Sequence, residues 1–237
     1  MTPDFWQKAW KNSQTDFSQK TPNPKLIKYF KALNTPKDGR FFVPLCGKSV
    51  DMLWFIDQGF DVVGVELSKI AVRQFFTENN LQATILPHPT NPRLACYQAK
   101  IHERLLNIWV GDIFELSAID VGQIDAIYDR GALVALPDST PDYLRSKYTQ
   151  QLIAISCCAN QLVISFSYDG KSQRGSNYKN LPPFLVTRTQ LEGYYAKDYQ
   201  ITLVAKEQVD YVSTAGDSGY RLVYTLIKKQ LKPRLNM

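Results

Sequence analysis

Cysteine is scarce in this chain of 237 residues: Cys46, Cys96, Cys157 and Cys158 are the full set, no pair has the C-x-x-C spacing, and there are only two histidines. That pattern argues against a structural zinc site and leaves no metal site expected, while sparse, unpatterned cysteine suits a reducing cytoplasm. Long apolar runs are missing too. The best candidate, "LIAISCCANQLVISF", is broken by Asn160 and Gln161, so no membrane span is expected. The opening "MTPDFWQKAWKNSQTDF" has no apolar h-region of a signal peptide. Concentrated charge is also absent. The net charge is +6, but the basic clusters "KLIKYFK" at 25–31 and "KQLKPR" near the end are short. This reads as a solvated basic surface, with no nucleic-acid partner expected. There is no internal repeat, low-complexity tract or heptad pattern, and a monomer is the expected state.

What the chain does have is alternation. The length suits one large domain over 1–237, with a helical segment at 1–35 followed by an α/β core at 36–237. Residues 3–12 read as a short helix carrying Phe5, Trp6 and Trp10, and Pro24 opens a second helix. From 41 to 79 the pattern is strand, helix, strand, helix: "RFFVPL", a helix capped by Ser49, "DVVGVEL", then a helix capped by Ser68. Such alternation builds a parallel sheet with crossover helices. Residues 80–104 carry three prolines and read as a long excursion. Further strands are expected at "LLNIWV", "QIDAIYD" and "QLVISFSYD", a helix over "PDYLRSKYTQQLIAI", another from Thr187, and a closing antiparallel hairpin near 199–208 and 219–228.

The turn in "FFVPLCGKSVDML" ends in Gly-Lys-Ser, like the tail of a phosphate-binding loop. A P-loop needs G-x-x-x-x-G-K-[ST], and the position five before Gly47 is Phe42. The nest of amides that would wrap a triphosphate is missing. Glu66 offers a better reading. It ends the second strand roughly 20 residues after the turn, where a carboxylate faces the ligand crevice of a doubly wound sheet and accepts from ribose hydroxyls. A pyrophosphate would require G-x-G-x-x-G, yet the turn has one glycine. A ligand with a ribose and no pyrophosphate fits, and S-adenosylmethionine is one, its amino-acid end lying against Leu45, Cys46 and Gly47. The plainer alternative for Glu66 is a surface carboxylate, and for Cys46 a small apolar filler.

Two later stretches agree. In "GDIF", Asp112 is placed to accept from an adenine amino group with Ile113 over the ring, or simply to cap a helix. In "YDRGALVAL", Asp129 and Arg130 stand past a strand end over the same crevice, where the arginine can meet an anion, or form a surface pair with the aspartate.

Together "FWQKAWKN…DF", "FFVPLCGKSVDMLWFIDQGFDVVGVELS", "QFFTENNL", "YDRGALVAL" and "SYD…PPF" resemble the thiopurine S-methyltransferase family over almost the whole chain. The resemblance implies a class I methyltransferase fold: a Rossmann-like three-layer sandwich with a mostly parallel seven-stranded sheet, an antiparallel last strand and an N-terminal helical lid. It implies that Trp10, Leu45, Glu66 and Arg130 contact S-adenosylmethionine, with Asp112 and Ile113 on the adenine side and Phe17 at the substrate mouth; the turn itself adds Gly47 to the cofactor contacts, and the aromatic population adds Phe184 at the substrate. Three departures surround the substrate side: Ser18 replaces a histidine, Leu181 replaces a glycine in "NLPPF", and 213–219 is short and lacks a basic residue.

Methyl transfer from a sulfonium is an in-line displacement, so the enzyme mainly aligns its reactants. The thiolate is the reactive form of a thiol, which Arg130 can stabilise, with Asp16 and Asp129 as candidate proton acceptors. Aromatic residues near the N-terminus and the late loop (Trp6, Phe17, Tyr178, Phe184) suit a planar, soft acceptor: a small thiol, thiopurine-like heterocycle, or selenium or tellurium species. The alternatives are a methyltransferase for nucleic acid or another small molecule, and a relative that binds the cofactor without turnover.

Overall fold

The computed structural model describes residues 3–138, 143–168, 182–212 and 218–230. Helix α1 (Pro3–Lys11) and helix α2 (Pro24–Tyr29) precede the sheet. Asn23 caps α2 by accepting the Lys25 N–H at 2.9 Å, and Pro24 sits where the helix has no use for an N–H. The alternation that follows is the expected one: β1 (Arg40–Pro44), α3 (Asp51–Asp57), β2 (Asp61–Glu66) and α4 (Lys69–Glu78). Ser68 caps α4 through the Ala71 N–H. Ser49 does not cap α3. The N-cap is Val50, and the Ser49 hydroxyl accepts the Asp51 N–H at 3.3 Å.

Residues 80–104 correct the sequence reading. They hold β3 (Thr84–Pro87) and β4 (Ala95–Ile101), which pair antiparallel with each other, and β4 runs antiparallel to β5 (Arg104–Val110). The chain then passes through α5 (Ala118–Val121), β6 (Ala126–Arg130), α6 (Leu144–Ser156), β7 (Asn160–Tyr168), α7 (Arg188–Tyr195), β8 (Tyr199–Val212) and β9 (Ser218–Lys228). Thr187 caps α7 in a capping box with Gln190.

Among the described residues the sheet has nine strands in the order β3-β4-β5-β2-β1-β6-β7-β9-β8, two more than expected. Its seven-stranded part, β5 through β8, is parallel except at β9, which is antiparallel to both neighbours, β7 and β8. Helices α3 and α4 bury Met52, Phe55, Ile56, Val72, Phe75 and Phe76 on one face. Helices α5, α6 and α7 bury Val121, Tyr148, Leu152, Ile155, Leu191 and Tyr195 on the other. This is the three-layer α/β sandwich. Because β2, β1 and β6 are covered on both faces, they read as continuous apolar runs rather than alternating ones. Among the described residues no helix is long and apolar enough to cross a membrane.

Candidate functional site

A doubly wound sheet opens a crevice at the carboxyl ends of its strands, where the order reverses. Here that crevice is a cavity of about 540 Å³, within the usual size of small-molecule sites. Its walls come from residues after β1 (Leu45, Gly47), at the end of β2 (Glu66), after β5 (Asp112, Ile113) and at the end of β6 (Arg130). The N-terminal segment covers it with Trp6, Trp10, Asp16 and Phe17.

The turn after β1 is shaped by backbone geometry. Leu45 and Gly47 both have left-handed φ, 46° and 54°. For leucine this costs roughly 1–2 kcal/mol, a strain typical of functional turns. The Cys46 N–H donates to the Val65 carbonyl at 2.9 Å, so the turn is pinned to β2. A Cβ on Gly47 would lie 3.1 Å from the indole of Trp10, so glycine lets the ring approach the turn. Burial, then the Glu66 charge, pushes the Cys46 thiol well up, as suits a filler. The lysine of Gly-Lys-Ser is not aimed at a phosphate: Lys48 Nζ lies 2.6 Å from Glu78 on α4.

Glu66 is buried, and both of its oxygens hold backbone: Oε2 accepts the Gly47 N–H at 2.8 Å and Oε1 the Ser68 N–H at 2.7 Å. Burial raises its carboxyl above the ordinary glutamate value, against these N–H groups. Each carboxylate oxygen has a second lone pair, so ribose hydroxyls can still donate to it. Asp112 makes the cap that was one of its two sequence alternatives. It lies in the cavity wall, and its Oδ1 accepts the Phe114 N–H at 3.0 Å to cap the short turn Ile113–Glu115. Ile113 is buried, held from behind by Gln151, whose side-chain amide donates to its carbonyl at 2.9 Å.

The β3–β4 insertion braces this wall. His88 Nδ1 accepts the Asn91 N–H at 2.9 Å, which leaves Nε2–H to donate to Asp120 Oδ1 at 2.8 Å. Asn91 Nδ2 donates to Glu115 at 2.9 Å.

Asp129 and Arg130 part company. Successive strand residues face opposite sides of a sheet, so Arg130 enters the cavity wall while Asp129 points into the α6 layer. Asp129 is not a proton acceptor for the cavity, which corrects the sequence reading. It is fully buried, accepting the Tyr148 O–H at 2.8 Å and the Leu133 N–H at 3.0 Å. Burial pushes its carboxyl up to about 6. A carboxyl raised by folding keeps its proton longer than in the unfolded chain, so its contribution is present below the ordinary Asp range and lost as pH rises through about 6. The difference corresponds to on the order of 3 kcal/mol. Urea midpoints of wild type and Asp129→Asn, followed from about pH 4 to about pH 7, are expected to diverge, wild type losing ground as pH rises. Parallel curves would refute this.

Phe17 is 46 % exposed and stands edge-on to Trp10 and Trp6, with ring centroids 5.5 and 5.6 Å apart. Phe184 is buried and does not line the cavity; its neighbours Pro182 and Pro183 do. Tyr178, Leu181 and most of 213–219 lie outside the described residues. Two lining residues were missed from sequence. Arg221, on β9, is a basic residue brought into the cavity wall when the hairpin folds back beside β7. Ser49 accepts from Arg130 Nη2 at 3.2 Å. A third residue, Asp51, lies behind the wall. Its Oδ2 accepts Arg130 Nε–H at 2.9 Å and the Tyr128 O–H at 3.0 Å. Among the described residues no cluster of three or more His, Cys, Asp or Glu side chains suits a metal ion.

The left-handed turn, the buried carboxylate at the end of β2 and the Asp112–Ile113 wall together fit a nucleoside with an amino-acid tail, and known proteins agree. The thiopurine S-methyltransferase profile matches residues 1–226. The chain is 45% identical over 201 residues to thiopurine S-methyltransferase of Psychrobacter cryohalolentis, covering 85% of this chain and 87% of that one. It is 36% identical over 229 residues to the enzyme of that name from Acinetobacter baylyi, covering 97% and 100%. In fold it is similar to a Burkholderia thailandensis 1,6-didemethyltoxoflavin N1-methyltransferase solved with S-adenosylhomocysteine (TM-score 0.61, 16% identity, 96% of this chain and 87% of that one). The N-terminal domain of EvdMO1, solved with S-adenosylhomocysteine, is a second such structure (TM-score 0.58, 12% identity, 97% and 98%). The cofactor is S-adenosylmethionine, and the chain belongs to the thiopurine S-methyltransferase family of class I methyltransferases.

Proposed function

We propose that the chain methylates the sulfur of a small thiol, or another soft chalcogen nucleophile, by in-line displacement. When bound, S-adenosylmethionine supplies a methyl group already activated by its sulfonium charge. Trp10, Leu45, Gly47, Glu66, Asp112 and Ile113 would hold it. The observation that carries the acceptor reading is the character of the remaining wall. Phe17, Phe166, Leu136, Pro137, Pro182 and Pro183 make it apolar, with the guanidinium groups of Arg130 and Arg221 and with Lys48, which Glu78 pairs.

Such a wall excludes water from a flat, soft reactant and leaves cationic N–H groups for its charge. Arg130 lies against Asp51, so it acts through aimed N–H donors more than through net field. An aromatic thiol is largely ionised at neutral pH and needs little from the protein. An alkyl thiol reacts as its minor thiolate form and depends on Arg130 more. Asp16, exposed at the cavity wall, is placed to pass a released proton to solvent.

The test is product analysis with S-adenosylmethionine and matched thiol, phenol and amine acceptors. S-methyl products from the thiols are expected, and preferential O- or N-methylation would overturn the reading. Arg130→Gln is expected to lower turnover of an alkyl thiol about tenfold more than that of an aromatic thiol, a difference of about 1.4 kcal/mol. Equal losses would remove Arg130 from thiolate stabilisation.

A further inference from the structure

We propose that Asp51 is a positioning residue: one buried carboxylate sets the aim of Arg130 and anchors the N-terminal segment that covers the cavity. The proposal rests on the methyl-transfer reading above. Asp51 opens α3 and is 1% exposed. It does not line the cavity, so it acts through others. Its Oδ2 takes Arg130 Nε–H and the Tyr128 O–H, while its Oδ1 takes the backbone N–H of Asn23 at 2.7 Å. A carboxylate accepts all three donors. An asparagine has one acceptor oxygen and an NH₂ group that would oppose one of them.

The consequence for Arg130 is orientation. Its Nε edge is fixed by Asp51 and its Nη2 by Ser49, which leaves the rest of a rigid fork facing the cavity. Without Asp51, a guanidinium only 18% exposed in its side chain loses its counter-charge. The consequence for the cover is attachment. Asn23 is buried and ends the stretch that begins with Asp16 and Phe17. Its side chain accepts from Lys25 and donates to Gln19 at 3.1 Å, so the tether reaches back along the segment. Arg130 Nη1 in turn reaches the Phe17 carbonyl at 3.5 Å. The cover and the cation therefore share one buried anchor.

Two effects of Asp51→Asn compete, which makes the variant informative. It removes a negative charge beside Arg130 and so raises the local positive field, which alone would favour a thiolate. It also frees the fork and the segment. If aim dominates, turnover falls.

The experiment compares full-length wild type, Asp51→Asn, Arg130→Gln and the double variant. It measures kcat and KM for a thiol, calorimetric affinity for S-adenosylhomocysteine, and tryptic cleavage at Lys11 and Lys20. Expected are an about tenfold fall in kcat for Asp51→Asn, and a further loss of no more than about threefold when it is added to Arg130→Gln. Cleavage at Lys20 with S-adenosylhomocysteine saturating should speed up about tenfold, by loss of the local tether.

Additive losses, a rise in kcat, or unchanged cleavage would each overturn the proposal. Should Asp51→Asn fail to fold, Asn23→Pro compared with Asn23→Ala, which loses the same side-chain bonds but keeps the N–H, tests the anchor without touching α3. Asn23 has φ of −67°, which proline tolerates, and the change removes the N–H donor. Cleavage at Lys20 should accelerate relative to Asn23→Ala, and an equal rate would overturn the anchor. If wild type fails to bind S-adenosylhomocysteine or to methylate a thiol, the functional reading falls instead. Cleavage without ligand then still decides whether Asp51 holds the segment.

Discussion

Replacing Glu66 by alanine is expected to weaken binding of S-adenosylhomocysteine tenfold or more, about 1.4 kcal/mol or above. The loss has two sources. The carboxylate would no longer accept from the ribose, and the Gly47 and Ser68 N–H groups would lose the acceptor that holds the β1 turn to β2. Hydrogen bonds to a charged group are each worth about 1.5–3 kcal/mol, so the second source alone can move the turn. Glu66→Gln should fall between, because its amide nitrogen would face one of two backbone donors.

The same carboxyl gives affinity a pH dependence. It must be ionised to accept from all its donors, and burial raises its titration above the ordinary glutamate range. Affinity should therefore decline as pH falls through the raised range. Calorimetric titration of wild type and Glu66→Ala at descending pH checks both. Wild-type affinity matched by the alanine variant would sink the assignment of Glu66.

Gly111→Ala is expected to cost about 2–4 kcal/mol of stability, read as a urea midpoint shift. Gly111 has φ of 148°, and an added Cβ would fall 2.4 Å from Leu94 Cδ2 and 3.0 Å from the Arg93 carbonyl oxygen. Leu94 is buried, so its methyl group has little room to retreat. The N–H of Gly111 also donates to the Glu66 carbonyl at 3.0 Å, so the clash reaches the cofactor wall from the β3–β4 side. Leu94→Ala in the same chain should recover part of the loss. If the double variant is as unstable as the sum of the two single ones, the steric account is wrong.

Much of the crevice was legible from sequence because its signals are local. One glycine where a pyrophosphate needs three, and a carboxylate at the following strand end, fit a ligand with a ribose and no pyrophosphate, and the family resemblance of the blocks around them narrowed it to S-adenosylmethionine. What escaped depends on distance or on missing contrast. Asp51 meets its partners 28, 77 and 79 positions away, and nothing in "GKSVDML" marks it. Strand β3 is exposed at every position, so it lacks the alternation that reveals a half-buried strand, and the surrounding prolines made 80–104 look irregular. Asp129 and Arg130 read as one pair by their adjacency, whereas the pleat of β6 sends them to opposite faces of the sheet. Phe184 was favoured over the prolines before it by its aromatic ring, yet its N–H donates to the Val134 carbonyl at 2.7 Å and its side chain packs inward.

The cover of the cavity is held to the core by partners that come far later in the chain. Gln7 waits for the Leu67 carbonyl, Asn23 for Asp51, and Phe17 for Arg130 at the end of β6. During translation the contact of this aromatic stretch with Arg130 cannot form until β6 has emerged, so its docking is completed later than that of the strands it overlies. The segment contributes no strand to the sheet, so lifting it from the cavity would break no strand pairing.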